Sequence, residues 1–353
     1  MTFLLRCGYT PSFDCTCISD GGLLHIVHLH PRKSRWRVQK GHLDQMSMVL
    51  TAFECLEPDI IISSIPDNQV FPASRRAIEN SQVFRDMFSC CDSRTTCVNE
   101  IIRLDERASN LTVLLNVLHN PPGLPVQVHS HAIHYRDNNS AQSNHLFQPQ
   151  YIPGTVIPLP VIPLLLTLAD KYCIESITET LSIHLSAHAP TDSLRVYGYA
   201  VAFNLGTVAS MASQYLDPMA SYGASQVAVI PTVAAYHRVL VLQNIRVQAL
   251  RRILSGEEIF PHGYGLCTSH QRQTTSLWEA RRTYLLGRIQ SNTDVAGEMD
   301  IVRPLFTDCK TCHKACSAAV DMLGYKCRRV IRRVDQLREM TDGDLLVDGI
   351  YDL

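Results

Sequence analysis

Asp59-Ile-Ile-Ile-Ser-Ser64, Gln69-Val70-Phe71 and Ser81-Gln-Val-Phe-Arg-Asp-Met-Phe88 decide how this chain is read. The first is a short, apolar, β-branched run of the kind that makes a buried strand. Pro66-Asp67-Asn68 supplies turn chemistry, so the second run returns as a partner strand and closes a hairpin. After Pro72 the spacing becomes helical. Ile78 falls one turn after Ser74, Ser81 is placed as an N-cap, and Val83, Phe84, Met87 and Phe88 share one apolar face. Ile101-Ile-Arg-Leu104 reads as a third strand. Leu111, Leu114, Leu115 and Leu118 then give the i, i+3, i+4, i+7 stripe of a helix stopped by Pro121-Pro122.

Upstream, Leu43, Met46, Leu50 and Phe53 recur at helical spacing until Pro58. Residues 1–41 read as a poorly structured N-terminal segment, with a candidate strand at 23–29 and a basic cluster at 32–40 read as a solvated surface run. His25, His28 and His30 lack a cysteine or carboxylate at ligand spacing. Downstream, 123–160 carries His, Asn, Ser, Gln and Pro with little periodicity and reads as a loop insert, its His129, His131 and His134 exposed to solvent. From Val161 onward the pattern is helical. Pro163 fits a first turn, and Ile174, Ile177, Leu181 and Leu185 make a stripe. Thr191-Asp-Ser193 supplies caps for a helix carrying Leu194, Tyr197 and Val201. Further helices are predicted over 233–254, 277–289 and 309–340. In the last, Cys316, Val320, Leu323, Cys327, Val330, Val334 and Leu337 form an a/d seam, and Arg328, Arg329, Arg332 and Arg333 an outer solvated face.

The chain has 353 residues, enough for two domains or for one core with a helical extension. Its 32 Lys and Arg nearly balance 33 Asp and Glu, which gives no electrostatic reason to expect nucleic acid or an anionic membrane as partner. The 13 cysteines come without a secretory signal, since MTFLLRCGYT offers only Phe3 to Leu5 as an apolar run. No stretch reaches the roughly 18–20 apolar residues of a membrane span. An intracellular setting, cytoplasmic or nuclear, is the expectation, with thiols as core fillers or metal ligands.

The pieces between Asp59 and His119 stand in an order that resembles the BTB/POZ domain. That family shows an acidic residue and apolar strand, a turn, a Val-Phe strand, a short helix and Ser-x-Val-Phe-Arg-Asp-Met-Phe. A strand ending in Leu, an acidic turn (here Asp105-Glu106) and a Leu-rich helix follow. After the insert, Leu166-Thr-Leu-Ala-Asp-Lys-Tyr172 looks like the family's Leu-Ala-Asp-Lys-Tyr helix. The part with Ser193-Leu-Arg-Val-Tyr197 and the closing helices looks like the extension of many fungal BTB proteins.

The resemblance implies an α+β BTB/POZ fold, a short β-sheet with helical hairpins, over 42–187, followed by an all-helical extension over 190–340. It implies a protein–protein interaction scaffold able to self-associate in the family's manner, with a charged dimer pocket falling on Asp59 and Arg75. Two alternatives are a substrate adaptor of a cullin-type ubiquitin ligase and a transcriptional regulator. No convincing cullin-docking sequence follows the domain. The family commonly has His where this chain has Ser74, so that contact is absent at this position.

Motifs for enzymatic chemistry are thin: no Gly-x-Ser-x-Gly elbow, phosphate-cradling loop or His-Glu-x-x-His pair occurs, and no catalytic residue is assigned. One constellation carries chemistry. Cys267-x2-His270 lies in a loop after Gly263-Tyr-Gly265, and Cys309-x2-Cys312 lies at the start of the last predicted helix. Two such pairs can close a tetrahedral Cys3His zinc site, which would clip the loop to the helix in a structural role. The same spacing also puts Cys309, Cys312 and Cys316 on one helical face as core fillers, and His313 and Cys316 are competing ligands. A metal-dependent enzyme built on this cluster is the alternative from another class.

Overall fold

A computed structural model describes residues 25–27, 53–91, 101–128, 150–261, 265 and 267–339. The predicted helix over Leu43, Met46 and Leu50, the basic cluster at 32–40, and His28, His30, His129, His131 and His134 lie outside the described residues. The fold is α+β and mostly helical. It divides into two compact units, one of Met1–Leu124 with Ile157–Leu181 and one of Pro125–Val156 with Ser182–Leu353.

The first unit holds a four-stranded sheet in the order β1-β4-β2-β3, from β1 (His25–Val27), β2 (Ile60–Ser64), β3 (Val70–Ala73) and β4 (Ile101–Leu104). β2 and β3 form the expected antiparallel hairpin, with Ile62 opposite Phe71. Its turn uses Asn68 at φ 50°, a left-handed conformation that asparagine tolerates well. The Ser64 hydroxyl accepts the Asp67 N–H and donates to the Glu106 carbonyl. β4 runs parallel to β2 and β1, so the chain crosses over between strands, by way of α1 (Arg75–Ile78) and α2 (Gln82–Cys91). Ile60, Ile62, Phe71, Ala73, Ile102 and Leu104 are buried. So are Phe84 and Phe88 of α2 and the leucine stripe of α3 (Ala108–His119).

Three sequence pieces meet in this core. Ser81 caps α2 by accepting the Phe84 N–H, and its hydroxyl donates to the Tyr172 carbonyl 2.6 Å away. Tyr172, just past α4 (Ile162–Lys171), stacks on Phe84 at 5.3 Å. Burial first, then Glu106 and Asp105, hold its phenol well above the usual tyrosine range. Lys171 Nζ reaches Glu106 Oε1 at 2.6 Å, with side chains 22% and 10% exposed, and Asn110 donates to the other carboxylate oxygen. Removing one partner of so enclosed a pair leaves the other charge uncompensated. Lys171→Met is therefore expected to cost about 2–3 kcal/mol in urea unfolding, and the double variant with Glu106→Gln distinctly less. Equal losses in the two would sink this account.

The second unit begins with a short antiparallel bridge, Gln127 to Tyr151, between the described ends of the insert. Helix α5 (Glu175–Ala187), whose first half belongs to the first unit, is followed by α6 (Ser193–Ala202), α7 (Gly206–Ser213), α8 (Ala224–Val227) and the 23-residue α9 (Val233–Ser255). Then come α10 (Gln271–Leu286), α11 (Val295–Asp300) and α12 (Lys310–Arg328). α9 is capped by Thr232, whose hydroxyl accepts the Ala235 N–H. The expected Asp192 cap is not made by its side chain, which pairs instead with Arg195 at 2.6 Å. At Gly198 on α6 an added Cβ would stand 2.6 Å from the Val229 carbonyl oxygen, so backbone meets backbone there.

Trp278 is the largest fully buried side chain among the described residues, set among Leu250, Leu254, Ile259 and Met299. Its indole N–H and Arg282 both donate to the Glu257 carbonyl, and the Glu257 carboxylate pairs with Lys326 of α12. The predicted last helix over 309–340 is corrected. α12 stops at Arg328, and a separate 3₁₀ turn covers Val334–Glu339. Continuation would set Arg328 beside Arg332 and Arg329 beside Arg333 one turn apart, and like charges at that spacing destabilise a helix. Instead Gln336 Oε1 accepts the main-chain N–H groups of Arg332 and Arg333. Arg332 consequently turns half inward, whereas Arg328, Arg329 and Arg333 stay exposed. Among the described residues, no helix is long and apolar enough to cross a membrane.

Candidate metal centre

Both ligand pairs sit where a helix begins. Cys267 opens a turn in which its carbonyl accepts the N–H groups of His270 and Gln271, and His270 is the residue before α10. Cys309 is extended, at φ −126° and ψ 104°, immediately before α12, and Cys312 follows in the first turn of that helix. Helix N-termini present unpaired N–H groups and a positive dipole end, a setting that favours thiolate.

The donor atoms of Cys267, His270, Cys309 and Cys312 all lie within 4.8 Å of one another. Cys267 Sγ is 3.6 Å from Cys309 Sγ and 3.4 Å from His270 Nδ1. A tetrahedral ion with metal–sulfur bonds of about 2.3 Å spaces its sulfurs roughly 3.8 Å apart, so this spacing needs little adjustment. The Cys309 thiol is pulled down to about 6, first by the nearby Cys312 main-chain N–H, then by the Cys267, Cys312 and His270 side chains, against the opposing effect of burial. Cys267 is lowered chiefly by His270, and His270 is raised chiefly by Cys267. Burial pushes Cys312 up. Three sulfurs and an imidazole, two of the thiols already inclined to ionise, form a set able to hold a metal ion.

The competing ligands predicted from sequence stand apart. Among the described residues, His313 and Cys316 are not members of the cluster. Cys316 is fully enclosed in the apolar core, where burial, reinforced by Asp300, pushes its thiol up to about 12. Cys316 is thus a core filler, while Cys309 lies outside the helix and points its sulfur at Cys267.

In the first unit, Asp59 and Arg75 are brought together through the main chain. Asp59 Oδ1 accepts the Arg75 N–H at 2.6 Å and so serves the first N–H of α1. The Arg75 guanidinium bonds Glu79 at 3.2 Å and lies over the Phe88 ring at 4.4 Å. The Ser74 N–H donates to His119 Nε2 at 3.0 Å, while His119 Nδ1 donates to the Leu115 carbonyl. A histidine therefore does serve this helix start, supplied from α3 rather than from position 74. Sequence spacing gave no signal for it, since the partners are 45 residues apart.

No protein-family model matches the chain, and no curated protein or solved structure matches it at a significant level.

Proposed function

We propose that this chain is a protein–protein interaction scaffold whose first unit is a BTB/POZ domain and whose helical unit is clipped by a structural zinc ion. The observation that carries the first part is the order of elements from Asp59 to Ala187. A hairpin, two helices, a strand parallel to the hairpin's first strand, a leucine helix and a further helical pair follow one another as in the resemblance. The residues that suggested the family also touch in space: Ser81 with Tyr172, Glu106 with Lys171, and Asp59 with Arg75. An interaction surface suits a unit that leaves Val70 and Ile101 of its sheet partly exposed.

Zinc is the ion proposed because a Cys3His donor set is soft and four-coordinate. Four protein ligands leave no open position, which favours a structural ion over a catalytic one.

Size-exclusion chromatography with light scattering on the full chain tests the scaffold reading. A mass twice the 39.6 kDa of the chain is expected, falling to the single-chain value in Asp59→Asn. A monomer at every concentration would end self-association through this unit.

A further inference from the structure

A cleft of about 420 Å³ lies within the helical unit, bordered by residues of α7, α9 and α12 and by the segment before α11. That volume is at the lower end of small-molecule sites, which run to roughly 300–1,000 Å³. Its lining carries three arginines, Arg246 of α9, Arg328 at the end of α12 and Arg332 just beyond, against two carboxylates, Asp217 and Asp294.

The two acids each accept a neutral donor, and the charge of Asp294 also supports the ionised Arg332. Asp294 accepts the Gly297 N–H at the start of α11, and Asp217 accepts from the Asn292 side chain. Arg246 is fixed in place by neutral acceptors, donating from Nε to the Ser291 carbonyl and from Nη1 to the Ile331 carbonyl. Among the described residues no carboxylate pairs with it. Its pKa is drawn down to about 10, first by burial and then by the like charge of Arg332.

Two donors lining the same cleft have no acceptor. Arg332 Nε and the Ser291 hydroxyl are both buried and make no hydrogen bond with any described residue. Native interiors seldom leave such groups unmatched, and adjacent buried guanidinium groups call for negative charge nearby. Three arginines against two carboxylates leave one positive charge over, and the two unmatched donors ask for acceptors, so the group that completes the cleft is an anion rich in acceptors. Guanidinium planes match oxyanions with two parallel bonds. A tetrahedral oxyanion also presents oxygens in several directions at once, as donors from two separate segments require.

We propose that this cleft binds a small phosphate-bearing molecule, whose phosphoryl oxygens accept from Arg332 Nε and Ser291 Oγ beside the charge of Arg246. This site is independent of the BTB reading and of the zinc clip.

Calorimetric titration of the zinc-loaded full chain with inorganic phosphate, at constant ionic strength in a chloride buffer, tests it. Saturable binding is expected, weakened at least tenfold by Arg332→Met and about threefold by Ser291→Ala. Without phosphate, Arg332→Met is expected to melt no lower than the parent, because it removes an unmatched donor. Absence of saturable binding, or equal affinity in parent and both variants, overturns the site.

Discussion

Replacing both Cys309 and Cys312 with serine is expected to strip the proposed zinc from the chain and lower the melting temperature of the helical unit by about 10 °C. An ion that binds only the folded state stabilises it by mass action, and a tightly held one does so strongly. The ligands here join the start of α10 to the start of α12, and both helices contribute to the core around Trp278. Elemental analysis of the purified full chain should find about one zinc per molecule, the ratio expected of one four-ligand site. A chelator should reproduce the loss in the parent chain and do nothing further to the serine variant. A well-folded parent without metal, melting where the variant melts, would end the metal clip and leave Cys312 as a core filler beside Cys316.

Trp278→Ala is expected to destabilise the helical unit by about 4 kcal/mol. The indole is wholly enclosed, so truncation combines lost burial with a cavity that helices on several sides cannot readily fill. It also removes the indole N–H donated to Glu257, a residue that ties α10 to α12 through Lys326 and Arg282. Urea unfolding followed by circular dichroism gives the number. A loss below about 1 kcal/mol would mean that the site collapses around the missing ring and that Trp278 does not organise this core. The same variant should keep its metal at saturating zinc, since the ligands stand on the helix starts and not on the indole.

The strands and the helices with wide apolar faces are legible in the sequence, because each declares itself within a few residues. Ile60 to Ile62 gives a strand by β-branching, Asn68 gives the turn, and Ser81 gives a cap. α7 and α11 are not foreseen. They are short, and α7 is built from small residues such as Ala209, Ser210 and Ala212, which offer little apolar contrast. α10 begins at Gln271, six residues before its expected start at Leu277, since its first turns are polar, and it stops before Gly287 rather than at 289. The a/d pattern past Arg328 is real as burial, with Val330 and Val334 both enclosed, but it is met by a turn and not by a continuous helix. Periodicity reports which side chains are covered; it does not weigh the repulsion of four neighbouring arginines.

The four proposed ligands are legible because paired x2 spacing at loop and helix starts is a local signal. The cleft is not, because Arg246, Ser291 and Arg332 come from three distant segments, and no spacing rule links them.

In the proposed metal centre, Cys267 and Cys309 are 42 residues apart. Closing a flexible loop of that length costs roughly 3 kcal/mol of chain entropy, so in an unfolded chain Cys309 and Cys312 meet the nearby His313 and Cys316 far more readily than Cys267 and His270. In the folded unit the intervening helices have already brought the two pairs together. Participation of Cys267 and His270 in the proposed centre would therefore mark a correctly assembled molecule. The metal lost on replacing Cys267 and His270 would then report the native fraction, where a spectroscopic helix signal would also count misassembled chains.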